Sequence, residues 1–205
     1  MKTLVSMRIV ENATYPERRD ALSHDWATFF ANHDLLPILV PNALQNPERY
    51  FDLAPQGLLL TGGDSLGSRG QLTQRDLTEM SLIKESIARN IPILGVCRGL
   101  QILNRYFGGE TLALPTKSHV GTHSVCCNDG THYKVNSFHD EGVTEATLAD
   151  SLVPFARAED GVIEAVRHVS LPIIAIQWHP ERRNPASALD RQLLEEWKNR
   201  CASSS

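Results

Sequence analysis

Long apolar runs are missing from this chain. Nowhere do the roughly 18 consecutive apolar residues of a membrane-spanning helix stand together. The opening stretch, MKTLVSMRIVEN, lacks the apolar core of about 7–15 residues and the small-residue cleavage site of a secretory leader. Cysteine is scarce, with Cys97, Cys126, Cys127 and Cys201 as the full set. An adjacent pair and a residue close to the C-terminal end do not form the pattern of a secreted disulfide framework. The chain therefore reads as cytoplasmic with reduced thiols. Positive charge is not in excess either: 20 Lys and Arg face 24 Asp and Glu, a net charge of −4, and no basic stripe is present. That argues against nucleic acid and anionic membrane surfaces as partners. Internal repeats and low-complexity segments are absent. G-x-G-x-x-G is absent too, so Gly62–Gly63 is not a dinucleotide fingerprint.

What remains is an ordinary globular composition, 41% hydrophobic and 21% charged over 205 residues. The length suits one domain, 1–201, followed by a disordered tail, 202–205, with a core large enough to need no staples. Apolar runs bounded by turn residues alternate with helical patterns. Strands are expected at Leu4–Ile9, Leu36–Val40, Gly57–Thr61, Ile91–Gly95, Val162–Val166 and Ile173–Gln177. Helices are expected at Pro16–Asn32, Thr73–Asn90, Arg98–Phe107 and Ala186–Arg200. The Trp26, Phe29 and Phe30 stripe reads as core. The alternation predicts a three-layer α/β sandwich: a mostly parallel twisted sheet, helices on both faces, and a small β excursion within 110–168.

The most informative segment is Ile91-Pro-Ile-Leu-Gly-Val-Cys97-Arg-Gly-Leu-Gln101. A buried strand ends at Gly95, a helix begins near Arg98, and Cys97 stands between them. G-x-C-x-G is the cysteine counterpart of the G-x-S-x-G nucleophile elbow. So sharp a turn strains the nucleophile's backbone, and side chains two residues to either side would collide. The turn presents sulfur at the carboxyl edge of the sheet and at a helix N-terminus, whose partial positive charge favours a thiolate. A small buried hydrophobe is the alternative reading of a lone cysteine.

A second segment, Ile173-Ile-Ala-Ile-Gln-Trp-His179-Pro-Glu181, decides between the two. It is an apolar strand ending in His-Pro-Glu. His179 and Glu181, two residues apart, turn toward one site, where the carboxylate holds the imidazole in the tautomer that accepts a thiol proton. His119, His123, Cys126, Cys127, His132 and His139 also crowd together. Without a C-x2-C pair, their spacing matches no common structural zinc pattern. The expectation is a polar loop near the pocket, with no metal and no cofactor. Arg8, Arg69 and Arg98 are candidate phosphate contacts.

GVCRGLQ, the TGGD turn and QWHPE together resemble the class I glutamine amidotransferase superfamily, over the stretch from Gly62 to Glu181. RDLTE (75–79), KSHVGTHSV (117–125), VNSFH (135–139) and DGVIEAV (160–166) are similar to its γ-glutamyl hydrolase branch. The resemblance implies a flavodoxin-like fold and a relay of Cys97, His179 and Glu181. It implies oxyanion donors at the backbone of Gly63 and the amide of Arg98. It also places Gly62, Gln101, the loop Asn136-Ser137-Phe138-His139 and Glu164 at or near the glutamyl pocket. The implied reaction is hydrolysis of a γ-glutamyl amide of a small molecule through a glutamyl thioester. The N-terminal MRIVENATYPERRDALSHDWATFF, the short loop Ser65–Gln74 and Asp140-Glu141 look most like γ-glutamyl-CDP-amidate hydrolases of capsule phosphoramidate pathways. Hydrolases of the γ-glutamyl-γ-aminobutyrate type, ammonia-donating glutaminase subunits and a non-catalytic binding module are the rivals. Oligomeric state stays open, a homodimer included.

Overall fold

A computed structural model describes residues 1–115, 118–182 and 187–203. In chain order the elements are β1 (Lys2–Ser6), β2 (Arg8–Glu11), β3 (Arg18–Ala21), α1 (His24–Asn32), β4 (Leu36–Val40), β5 (Gly57–Leu60), α2 (Gln74–Ala88), β6 (Ile93–Val96) and α3 (Arg98–Tyr106). Then follow β7 (Leu112–Ala113), β8 (Val120–Cys127), β9 (His132–Phe138), β10 (Glu141–Gly142), β11 (Leu152–Ala158), β12 (Ile163–His168), β13 (Ile173–Ile176) and α4 (Ala188–Ser203).

A nine-stranded sheet runs β4-β1-β5-β6-β13-β12-β11-β8-β9. The half from β4 to β13 is parallel throughout. From β13 to β9 every neighbour is antiparallel. The expected β excursion is therefore four strands of the main sheet. Its sequence alternates polar and apolar residues too loosely to announce long strands, because one face of β8 and β9 is half solvated.

Central strands bury both faces. Leu4, Leu58, Leu60 and Ile93 meet Leu82 and Ile83 of α2 and Leu100, Ile102 and Leu103 of α3. Val5, Leu59, Leu94 and Val96 meet Trp26, Phe29 and Phe30 of α1 and Leu189, Leu193 and Trp197 of α4. Helices thus cover both faces as the alternation requires, and the aromatic stripe of α1 is core.

Three boundaries depart from expectation by more than two residues. The stretch expected as one strand from Leu4 to Ile9 breaks at Met7 into β1 and β2. The helix expected from Pro16 begins only at His24, where the Ser23 side chain accepts from the Asp25 amide. Residues ahead of that cap carry no apolar stripe, and they pair instead as the hairpin β2–β3. Finally, α4 continues to Ser203, so residues 202 and 203 of the expected tail are helical. Positions 204 and 205 lie outside the described residues, as do Lys117 and Ala186.

Candidate active site

Two neighbouring parallel strands deliver the key side chains to one sheet edge. β6 pairs with β13 in the register Val96↔Ile176. Cys97 follows the first strand directly, and His179 follows the second after Gln177 and Trp178. The Cys97 amide continues the ladder by donating to the Ile176 carbonyl at 2.7 Å.

The turn at Cys97 is strained, with φ 55° and ψ −107°, outside the ordinary basins of an L-residue. The flanking glycines are obligatory for close approach. A Cβ on Gly95 would stand 2.7 Å from the Gly99 carbonyl oxygen, and one on Gly99 would stand 2.4 Å from the Leu60 carbonyl oxygen. Strand and helix meet with no room for a methyl group, as the elbow spacing predicts.

His179 is 2% exposed, and its Nδ1 lies 2.7 Å from Glu181 Oε1. Burial alone would lower this imidazole, but hydrogen bonds and charge interactions with Cys97 and Glu181 raise it to about 9. Asn136 fixes the strand end from β9: its Oδ1 accepts from the His179 amide and its Nδ2 donates to the His179 carbonyl, each at 2.8 Å. Gln177 Nε2 stands 3.6 Å from Cys97 Sγ, a neighbour that sequence spacing did not single out.

Gly62 packs between the two reacting groups, such that a Cβ there would reach 2.8 Å from His179 Cε1 and 3.3 Å from Cys97 Cβ. Gly63 follows at φ +115°, conformational space open to glycine. This turn is held by a buried ionic network absent from the sequence expectations. Arg75 donates to the carbonyls of Thr61 and Gly62 and pairs with Asp64 at 3.2 Å and Glu79 at 2.9 Å. The Arg98 side chain also belongs to the network, buried against Asp76 and Glu79. Arg98 is therefore no phosphate contact through its side chain; its amide lies in the first turn of α3, directly after Cys97. Arg69 turns to the carbonyls of Gly108 and Gly109. Arg8 alone of the three stands at the site, beside Gly63 and 3.4 Å from Asp64.

The remaining candidates divide. Gln101 is buried and donates to the Glu141 carbonyl at 3.1 Å. Ser137 donates to the His119 carbonyl and is 1% exposed, so its hydroxyl ties β9 to the start of β8. Phe138 lies edge-on to the His179 ring, with the Arg182 guanidinium 4.8 Å from its own ring centre. His139 and Glu164 meet in a cluster with His119 and His123. Burial would raise the Glu164 carboxyl, but the three imidazoles hold it well below the usual carboxylate range. His119, His123 and Glu164 are spaced to hold a metal ion, a grouping that linear spacing missed because the carboxylate comes from a distant strand. Cys126, Cys127 and His132 lie on β8 and β9 rather than in a loop.

Known proteins share this arrangement of sequence and fold. A sequence model of the peptidase C26 family matches residues 5–181. The chain belongs to the peptidase C26 family. This C26 protein is similar to the gamma-glutamyl-CDP-amidate hydrolase of Campylobacter jejuni, 33% identical over 198 residues that cover 94% of this chain and 95% of the other. It is also similar to the gamma-glutamyl-gamma-aminobutyrate hydrolase PuuD of Escherichia coli, 31% identical over 206 residues, covering 81% and 80%. Among solved structures, a glutamine amidotransferase from Thermotoga maritima superposes with a TM-score of 0.65 at 16% identity, covering 98% of this chain and 84% of the other. That likeness supports the fold. No described helix is long and apolar enough to cross a membrane.

Proposed function

We propose that this C26 protein hydrolyses the γ-glutamyl amide bond of a small molecule, with Cys97 as nucleophile, His179 as proton carrier and Glu181 as its orienter. The observation that carries the reading is the strained Cys97 turn facing a His179 whose other ring nitrogen is engaged by Glu181 at 2.7 Å. Cys97 Sγ attacks the amide carbonyl with its proton already held on His179, the form that the raised imidazole favours. The oxyanion forms between the backbone of Gly63 and the Arg98 amide, each donor contributing about 3–4 kcal/mol in comparable sites. His179 returns the proton to the leaving nitrogen, and a glutamyl thioester remains. Water attacks that thioester, His179 takes its proton, and glutamate leaves as the thiol is restored.

The leaving half is best read as a phosphorylated amine of the γ-glutamyl-CDP-amidate kind. Arg8 and Arg182 line the mouth beside Gly62, Gly63 and His179. Both are partly exposed, at 48% and 35% of their side chains, and so reach solvent-borne phosphates. The Campylobacter relative's name points the same way.

Released glutamate, measured over a panel of γ-glutamyl-CDP-amidate, γ-glutamyl-aminobutyrate and glutamine, tests both levels. Turnover of the first substrate is expected to exceed the others, and Cys97→Ala is expected to abolish it. Turnover retained in Cys97→Ala ends the nucleophile assignment. Preference for the aminobutyrate amide ends the phosphorylated-amine reading while leaving the hydrolase intact.

A further inference from the structure

The cluster around Glu164 sits where the sheet has a gap. Strand β11 ends at Ala158, opposite Val125 of β8. Toward its start β8 runs on past that last partner, and the side chain of Glu164 on β12 meets it there. His119, just before β8, and His123, on β8, are four residues apart and share a face. His139 arrives from the end of β9.

Glu164 Oε1 is the hub. His119 Nδ1 lies 3.3 Å from it, His123 Nε2 3.4 Å and His139 Nε2 3.4 Å. Charge-assisted N–H···O bonds are shorter, about 2.7–2.9 Å. Donor atoms about 2.0–2.1 Å from a zinc ion stand about 3.3–3.4 Å apart at the corners of a tetrahedron. The His119 and His123 spacings to Glu164 match such an edge better than they match hydrogen bonds.

Hydrogen-bond accounting agrees. His119 Nδ1, His123 Nε2, His139 Nε2 and both carboxylate oxygens of Glu164 are buried without a hydrogen-bond partner. Folded proteins seldom leave so many polar atoms unsatisfied in one place. Two outer ring nitrogens, by contrast, are engaged. His119 Nε2 lies 2.9 Å from Asp160 Oδ2, and His139 Nδ1 lies 2.9 Å from the Glu141 carbonyl oxygen. Oxygen acceptors on the outside place the imidazole protons outside. With their protons outside, the inner nitrogens of His119 and His139 aim lone pairs at a carboxylate, which is repulsive unless a cation lies between. The alternative, three doubly protonated imidazoles around one carboxylate, would bury a net positive charge among like charges. Carboxylate or carbonyl partners on the far nitrogen are the usual support of metal-bound histidine.

We propose that His119, His123 and Glu164 bind a divalent transition-metal ion, zinc foremost, that braces β8 against β12, with His139 packed beside it. Two imidazoles and one carboxylate, with solvent to complete the shell, are borderline donors suited to zinc, and to cobalt as its spectroscopic substitute. A surface cavity lined by Ser118, His119, His123, Ser124 and Asp160 gives an ion a route in. Bracing there bears on the active site, since Asn136 of β9 clamps the His179 backbone.

The test is a titration of chelator-treated Cys97→Ala protein, which lacks the competing active-site thiol, with Zn2+ by calorimetry and with Co2+ by visible absorption. One equivalent is expected to bind, with the intense d–d bands of tetrahedral cobalt and a rise in unfolding temperature. His123→Ala, at the partly exposed edge of the cluster, is expected to keep its fold by circular dichroism and to lose affinity by at least about tenfold, and Glu164→Gln by more. No binding of either ion at tens of micromolar, or equal binding by the His123→Ala and parent proteins, overturns the site. Metal content and glutamate release are separate readouts, so failure of the hydrolase reading is distinguishable from failure of this one.

Discussion

A methyl group at position 62 is the most incisive perturbation of the candidate relay. Gly62→Ala places a Cβ 2.8 Å from His179 Cε1, where ordinary contact begins near 3.4 Å, so the ring must retreat by about 0.6 Å. It cannot retreat freely, because Glu181 grips Nδ1 and Asn136 grips the backbone on both sides. The retreat therefore changes the approach of the imidazole to Cys97. Misplacements of this order cost roughly 10–100-fold in rate, equivalent to about 1.4–2.7 kcal/mol of barrier. The backbone itself is not strained by the change, since positive φ belongs to Gly63 and not to Gly62. Initial rates of glutamate release should fall by that factor while the thermal midpoint moves by only a few degrees. Alkylation of Cys97 by iodoacetamide should slow in parallel. Full activity in a folded Gly62→Ala protein would refute the placement of His179 against Cys97. Loss of activity with loss of fold would assign the effect to packing instead.

Two further outcomes follow from the buried charges. Arg98→Ala removes the cation that pairs with both Asp76 and Glu79, fully buried carboxylates, leaving Glu79 to Arg75 and Asp76 to backbone amides, and should destabilise the fold by about 3–5 kcal/mol in denaturant unfolding; a loss below about 1 kcal/mol would show that the network is replaceable. His179 should titrate near 9 by NMR in the native protein, and lower in Glu181→Gln, which removes one of the groups that raise it. Because its folded value lies above the unfolded value of about 6.5, the protonated ring contributes stability that is complete below about pH 6.5 and fades as pH climbs through about 9, of order 3 kcal/mol in all. A His179 titration near 6.5, unchanged in the variant, would refute the coupling.

The parallel half of the fold was legible in the sequence because its strands are short, mostly apolar and punctuated by glycine and proline. The elbow was legible for the same reason: Gly95 and Gly99 are required by contacts with the Gly99 and Leu60 carbonyls. What escaped was decided by partners far along the chain. Arg18–Ala21 has no pattern of its own and becomes a strand by pairing with β2. Arg98 reads as an anion contact until Asp76 and Glu79 are seen to surround it. The histidine-rich stretch reads as loop because its missing carboxylate, Glu164, sits in another apolar run. Asn136 was singled out from its loop, but the spacing did not show that both ends of its amide hold the His179 backbone.

The ladder between β6 and β13 has a consequence for how such a protein can change. Sulfur and imidazole are spaced by main-chain pairing, one residue beyond Val96 on one side and three beyond Ile176 on the other. The hairpin that carries Arg8 hangs outside that ladder, joined to the Gly62–Asp64 turn where the Ile9 amide donates to Asp64. Its length and lettering can drift without disturbing the pairing that sets the reacting distance. On the proposed reading, selection can therefore retune which conjugate is accepted while bond cleavage is inherited as a finished part.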